Sequence, residues 1–267
     1  MGFGSILANT VGPLIEKDKM PLINFNFESS SAVDKLYMLR SMNHTLQYMT
    51  ALAVYLKKYG QAEIPIVGSE SLFLNAMIDS LKVALGKSVS LASMGSYNPT
   101  DLDFRSTITK LKSRNHKYVG LFLLPEQLIA FMKQAKELGF KSRCFGTDLF
   151  ETSASIVPDS DLFEGCLYPD NEVISDFRKR YNLKFQNEAQ LTFAGNAYDV
   201  TLLVGETLQM LNSFDSTKFI EALSNVHERK GVLGQFTYRK EKDFGQFFEF
   251  PVYVKSIKDS KGIPVKQ

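Results

Sequence analysis

Asp148 occupies the most telling chemical position in this chain, two residues after the apolar run Cys144-Phe145-Gly146. If that run is a strand of an open α/β sheet, its carboxyl end is where such sheets bind ligands, and a carboxylate there can meet a ligand cation. The same position suits an Asp that caps its own turn. At the other end of the sequence, Gly2-Phe3-Gly4 opens a helical pattern, but the third glycine of a dinucleotide fingerprint falls on Leu7 and no strand precedes it. The electrostatic reading is more useful. Free N–H groups and the Ser5 hydroxyl at a helix N-terminus favour an anion such as a ligand carboxylate, although an ordinary N-cap needs the same residues. His44, His116 and His227 are scattered, with no partner at metal-ligand spacing, and no Gly-x-Ser-x-Gly elbow marks a nucleophile. The residues therefore point to binding rather than catalysis, with no metal and no cofactor. Lys57-Lys58 and Arg178-Lys179-Arg180 read as solvated helix faces.

Composition narrows the partners. Lys and Arg number 31 against 29 Asp and Glu, with no block of like charge, so nothing forms a footprint for nucleic acid. With 44% hydrophobic residues, 21 Phe and 11 Tyr, the chain has apolar surface enough to fold. Its longest apolar stretch, Tyr118 to Leu124, is far short of the roughly 20 residues that cross a bilayer, so no direct membrane insertion is expected. Residues Met1 to Ala8 lack the basic and apolar regions of a secretory signal. Cys144 and Cys166 read as buried free thiols; if their strands are neighbours, a disulfide is the other reading.

The elements that must position these residues follow from periodicity. Ile64 to Gly68 is a strand; Ser69 is a plausible cap for a helix carrying Phe73, Ala76, Met77, Leu81 and Ala84, stopped at Gly86. Val89 to Met94 is the next strand, followed by a helix with Phe104, Ile108 and Leu111 on one face and Thr100 as cap. Tyr118 to Leu124 is a third strand, and Pro125 suits the first turn of a helix that ends at Gly139. Arg143–Gly146 and Gly165–Tyr168 are short strands separated by a loop rich in Ser, Asp and Pro. Such units predict a parallel sheet with helices on both faces. Helices are expected at Val173–Tyr181, from about Ala189 to Leu211 and at Thr217–Ser224, with an alternating strand over Phe247–Ile257. Near the start, Ile6–Glu16 reads as helix, and Leu22–Asn26 and Tyr37–Arg40 as extended. At roughly 150 residues per domain, the 267 residues suit two lobes between which the chain crosses more than once.

Several segments, in this order, resemble a known family: Gly4-Ser5 with its helix and Met20-Pro21-Leu22-Ile23; Tyr37-Met38-Leu39-Arg40; Thr100-Asp101-Leu102-Asp103-Phe104; Gln134 through Phe140; Phe145-Gly146-Thr147-Asp148; Phe163-Glu164-Gly165; Ala197-Tyr198-Asp199-Val200; and Gly231 through Phe236. Together they resemble the type I periplasmic solute-binding proteins, in the branched-chain amino acid (Leu/Ile/Val) branch of ABC transporter receptors. The resemblance implies an α/β fold of two lobes, each a mostly parallel sheet flanked by helices. Lobe one would hold residues 1–41 and 170–245, and lobe two 42–169 and 246–267. It implies a small-molecule ligand held in the interlobe cleft, hinge closure as the signal to a membrane permease, and a periplasmic or extracytoplasmic location. Relatives carry a further strand-helix-strand-helix region before the Gly-Ser loop at which this sequence begins, so lobe one is expected to be incomplete.

Carried over residue by residue, the lobe-one ligand contacts fall on Ser5 and on Asn26, Phe27 and Glu28, groups that in relatives hold an amino acid's carboxylate. Glu28 departs from the small or hydroxylated residue usual there, and would repel a ligand carboxylate unless one of the two is protonated. In lobe two the aromatic wall falls on Phe73, which lacks a hydroxyl; the second aromatic falls near Leu124; and the acid that pairs with the ligand ammonium falls on Asp148. The expected ligand is therefore small, amino-acid-like or amine-bearing, with an apolar body. The alternatives are a ligand-sensing receptor module of the same fold and a truncated fragment that binds nothing.

Overall fold

The computed structural model describes residues 2–3, 5–27, 29–114, 116–159, 161–186, 190–212 and 214–265, with side chains from Ala8 onward except at positions 28–30. In chain order the elements are β1 (Gly2–Phe3), α1 (Ser5–Asp18), β2 (Leu22–Phe25), β3 (Met38–Arg40), α2 (Thr45–Lys57), β4 (Glu63–Ser69), α3 (Leu72–Leu85) and β5 (Ser90–Tyr97). There follow α4 (Arg105–Arg114), β6 (Tyr118–Phe122), α5 (Pro125–Glu137), β7 (Arg143–Phe145), α6 (Leu149–Ile156), β8 (Leu167–Asp170), α7 (Ser175–Phe185), α8 (Leu191–Leu211) and α9 (Ser216–Ser224). The chain ends with β9 (Arg229–Gly231), β10 (Gly234–Glu241), β11 (Gly245–Glu249), β12 (Tyr253–Lys258) and β13 (Lys261–Pro264).

The chain forms two units: Met1–Thr45 with Asn171–Pro251, and Leu46–Asp170 with Val252–Gln267. The expected boundaries lay at 41/42, 169/170 and 245/246. The last differs most, because β11 pairs with β3 and β10 of the first unit instead of joining the second. The single strand expected over Phe247–Ile257 is accordingly two strands in two sheets, separated by Phe250-Pro251-Val252; proline, with no N–H to donate, suits the break.

The first unit is a sheet of order β1-β2-β3-β11-β10-β9, parallel from β1 through β11 and antiparallel beyond. Its core joins Ala8 and Ile15 of α1, Ile23, Leu39, Phe236 and Phe248 of the sheet, and Val200 and Leu203 of α8. Asp199 of α8 fixes the turn between β9 and β10: its two carboxylate oxygens accept from the N–H groups of Val232 (2.8 Å) and Leu233 (3.2 Å). Burial pushes this carboxyl up, and those two donors and the Arg229 charge partly offset it. Gly231 is required here because a Cβ would stand 2.4 Å from Asp199 Oδ2.

The second unit is a sheet of order β13-β12-β8-β7-β6-β4-β5, parallel from β8 to β5. Each residue of β6 is buried, which is why its sequence is continuously apolar rather than alternating. Val119 and Leu121 point into a core shared with α4, α5 and α6. Gly120 lies on the opposite face, against Ile66 and Phe145. The Ser- and Asp-rich stretch expected to be loop contains α6, whose Phe150, Ser153 and Ala154 are buried. Helix α4 starts at Arg105 rather than next to Thr100. The segment before it is instead held by two buried glutamines of α5: Gln127 Nε2 donates to Asn98 O (2.7 Å), and Gln134 accepts from Phe104 N and donates to Leu102 O. No helix among the described residues is long and apolar enough to cross a membrane.

Candidate functional site

In the second unit the sheet order places the reversal of direction between β4 and β6: α3 leads from β4 to β5 on one side, and α4 returns the chain to β6 on the other. Ligands of open α/β sheets bind outside the carboxyl ends of the strands at such a reversal. Phe73 lies in the first turn of α3, four residues beyond the end of β4. Leu124 is the N-cap of α5, two residues beyond β6, and its N–H donates to Gln127 Oε1 (3.2 Å). Asp148 follows β7 by three residues. The fold thus brings Phe73, Leu124 and Asp148 to one edge of one sheet, following the adjacent strands β4, β6 and β7. All three are half-buried.

Asp148 sits at the N-cap position of α6, but its side chain makes no capping hydrogen bond. The turn is built by other groups: Thr147 Oγ1 accepts from Leu149 N (3.4 Å), and Asp148 O accepts from Glu151 N (3.0 Å). Gly146 lets this loop cross close to β6, since a Cβ there would meet the Leu121 carbonyl oxygen at 2.3 Å. Burial first, then the charges of Asp170 and Glu151, push the Asp148 carboxyl up from 3.8 to about 7, against the opposing pull of its own backbone N–H and of Lys255. An acid so placed is ready to exchange its proton for a cationic partner.

The groups around it were not legible in the sequence. Asp170 ends β8 and Lys255 lies on β12; the antiparallel register of these strands lets Lys255 Nζ reach Asp170 Oδ2 at 3.1 Å, with Lys255 only 2% exposed. Tyr168 donates its hydroxyl to Glu151 Oε2. Burial and then the Glu151 and Asp170 charges hold the Tyr168 phenol protonated far above its ordinary range. A gap of 85 residues separates Asp170 from Lys255, and only the aspartate's place at a strand end hints at the pair.

In the first unit, Ser5 opens α1 after β1, and Asn26 and Phe27 follow β2, so these positions lie at the carboxyl ends of two adjacent parallel strands. The Ser5 side chain and Glu28 lie outside what is described. Asn26 is buried and exchanges hydrogen bonds with Ser31, both at 3.2 Å. The Phe27 ring meets the edge of Phe193 at 6.3 Å between centroids, and Phe25 packs on the same ring at 5.1 Å. Phe193, on α8, was missed because its approach to the β2 loop is set by helix packing and not by spacing in sequence.

Comparison with known proteins matches residues 1–262 to the model of a family described as periplasmic binding protein. Among solved structures, a leucine-binding protein of Thermotoga maritima is 17% identical, with a TM-score of 0.80 over 99% of this chain and 78% of its own. A substrate-binding protein of a branched-chain amino acid transporter from Streptococcus pneumoniae, in complex with isoleucine, is also 17% identical, with a TM-score of 0.81 over 97% of this chain and 76% of its own. A solute-binding protein of an ABC transporter from Rhodopseudomonas palustris, in complex with 3,4-dihydroxybenzoic acid, is 16% identical, with a TM-score of 0.80 over 99% of this chain and 75% of its own. At such identities these likenesses establish the fold. No curated protein sequence matches the chain.

Proposed function

This chain belongs to the periplasmic binding protein family, and on that premise we propose that it is the non-enzymatic solute-binding component of an ABC-type transporter. It works outside the cytoplasm, in the periplasm or another extracytoplasmic space, and delivers its ligand to a membrane permease. The ligand is small and carries an amine on an apolar body. Asp148 pairs with the amine, Phe73 and Leu124 face the apolar body, and Ser5, Asn26, Phe27 and Glu28 of the other unit act on the same ligand molecule. Closure of one unit on the other then reports that the ligand is bound.

The observation that supports this reading most is the carboxyl of Asp148, placed after β7 beside the Phe73 and Leu124 positions and free of capping duty. The relatives bind leucine, isoleucine and aromatic acids by their own descriptions, and an acid at this position favours the amine-bearing members of that range.

Thermal unfolding of the chain with a panel of amino acids, polyamines, aromatic amines and small acids tests the reading. A ligand present at about 100 times its dissociation constant adds about 2.7 kcal/mol, an easily resolved shift. Amines are expected to give it, and Asp148→Ala to abolish it. Affinity should also fall about tenfold per pH unit below about 7, because the bound amine needs the ionised form of a carboxyl that is protonated there. A panel in which no amine shifts the midpoint, or a shift that survives Asp148→Ala, overturns the proposal.

A further inference from the structure

Away from the Asp148 edge, Cys144 lies in β7, and Cys166 immediately precedes β8. The two strands run parallel with Phe145 opposite Leu167, so one step back along both places Cys144 opposite Cys166. Both side chains belong to the core beneath α4, α5 and α6, and so leave the sheet on the same face. Neighbouring strands are about 4.8 Å apart, within the roughly 4.4–6.8 Å that a disulfide spans between Cα atoms. Hydrogen bonding with Cys144, followed by burial, pushes the Cys166 thiol up. Both cysteines are free. They also line a cavity of about 470 Å³ with Phe140, Arg143 and Glu164, and at its mouth Lys141, Asp161 and Glu164 are exposed. Cys144 and Cys166 are themselves only 3% and 2% exposed, so a small reagent has to reach them through this cavity.

We infer that Cys144 and Cys166 form a modification site, a dithiol that a small-molecule disulfide entering this cavity converts into a bond between β7 and β8. The thiolate of one cysteine attacks the reagent, forming a mixed disulfide and expelling one reagent thiolate. The second cysteine loses its proton, attacks the protein sulfur of the mixed disulfide and expels the other reagent thiolate. Two protein S–H bonds and one reagent S–S bond give way to one protein S–S bond and two reagent S–H bonds. The protein loses two electrons, and the reagent gains them. The new bond closes a loop around α6, and it fastens the strands that lead to Asp148 and Asp170, each four residues beyond its cysteine. It does not depend on what the protein binds.

The test treats the reduced, folded chain with bis(2-hydroxyethyl) disulfide. The intact mass is expected to fall by two hydrogens, no thiol should remain titratable in denaturant, and a peptide linking Cys144 to Cys166 should appear. Closing a loop of this length should raise the unfolding midpoint by about 5 °C or more, reversibly on reduction. Cys144→Ser and Cys166→Ser should each stop at a mixed disulfide. The wild-type chain alone decides the matter if either variant fails to fold. Thiols that stay unreactive until the chain is denatured, reagent adducts retained on both cysteines, or cross-linked dimers in place of the internal bond would overturn the inference.

Discussion

Replacing Asp148 by Asn is expected to raise the unfolding midpoint at about pH 8, with a gain that shrinks as the pH falls and vanishes near about pH 4. The sign follows from the carboxyl's rise from 3.8 to about 7 in the folded chain. Below the unfolded value, both states hold the proton. Between the two values the folded chain keeps a proton that the unfolded chain has released, so stability falls as pH rises; above about 7 the full cost is in place. That rise sets an upper bound of about 4 kcal/mol. Asp148 is only half-buried, and solvent screening reduces the gain to about 1–2 kcal/mol. Asn keeps the shape and has no charge to desolvate. The same substitution should abolish amine binding, so the residue that costs stability is the one that serves the proposed function. A lower midpoint for Asp148→Asn at about pH 8, measured by calorimetry, would contradict this account of the site's electrostatics.

Lys255→Met should have the opposite and larger effect, a loss of about 3–5 kcal/mol in urea denaturation. Lys255 is buried with its ammonium 3.1 Å from Asp170, and its charge is also what opposes the rise at Asp148. Removing it takes from Asp170 its 3.1 Å cation and from Asp148 the charge that opposes its rise, with Glu151 still adding to that rise. Adding Asp170→Asn to Lys255→Met should recover much of the loss, because the carboxylate that lost its lysine goes with it. The gain from Asp148→Asn should grow in the Lys255→Met background. If Lys255→Met proves neutral, or if the second substitution deepens the loss, the acid cluster does not depend on Lys255 as described.

Elements whose pattern is set by their own burial were legible in the sequence, and those set by distant partners were not. The continuous apolar run of β6 and the Pro125 start of α5 follow from local chemistry, and the structure keeps both. Helix α6 was hidden because Thr152, Ser153 and Ser155 suit a loop as well as a helix, and they mask the helical spacing of Phe150 and Ala154. The alternation from Phe247 to Ile257 concealed a change of sheet, because both β11 and β12 bury alternate or successive residues and only Pro251 marks the break. At the candidate site, the position of Asp148 could be read as following a strand end, whereas Phe73 and Leu124 were reached only through the family resemblance. The neighbours that set the charge of Asp148 could not, since Asp170 and Lys255 meet through the register of β8 with β12.

The central claim is that Asp148 selects an amine-bearing ligand, and a calorimetric titration of the chain at about pH 8 with paired compounds tests it most directly. Each amine, such as leucine, is compared with the carboxylic acid that lacks only its amino group, and benzoate is included as an aromatic acid. The account predicts saturable binding of at least one amine and loss of about 100-fold or more in affinity for its deaminated partner, in keeping with the loss of a charge-assisted hydrogen bond. Equal affinity for the two members of a pair, or binding of benzoate with no amine bound, would contradict it.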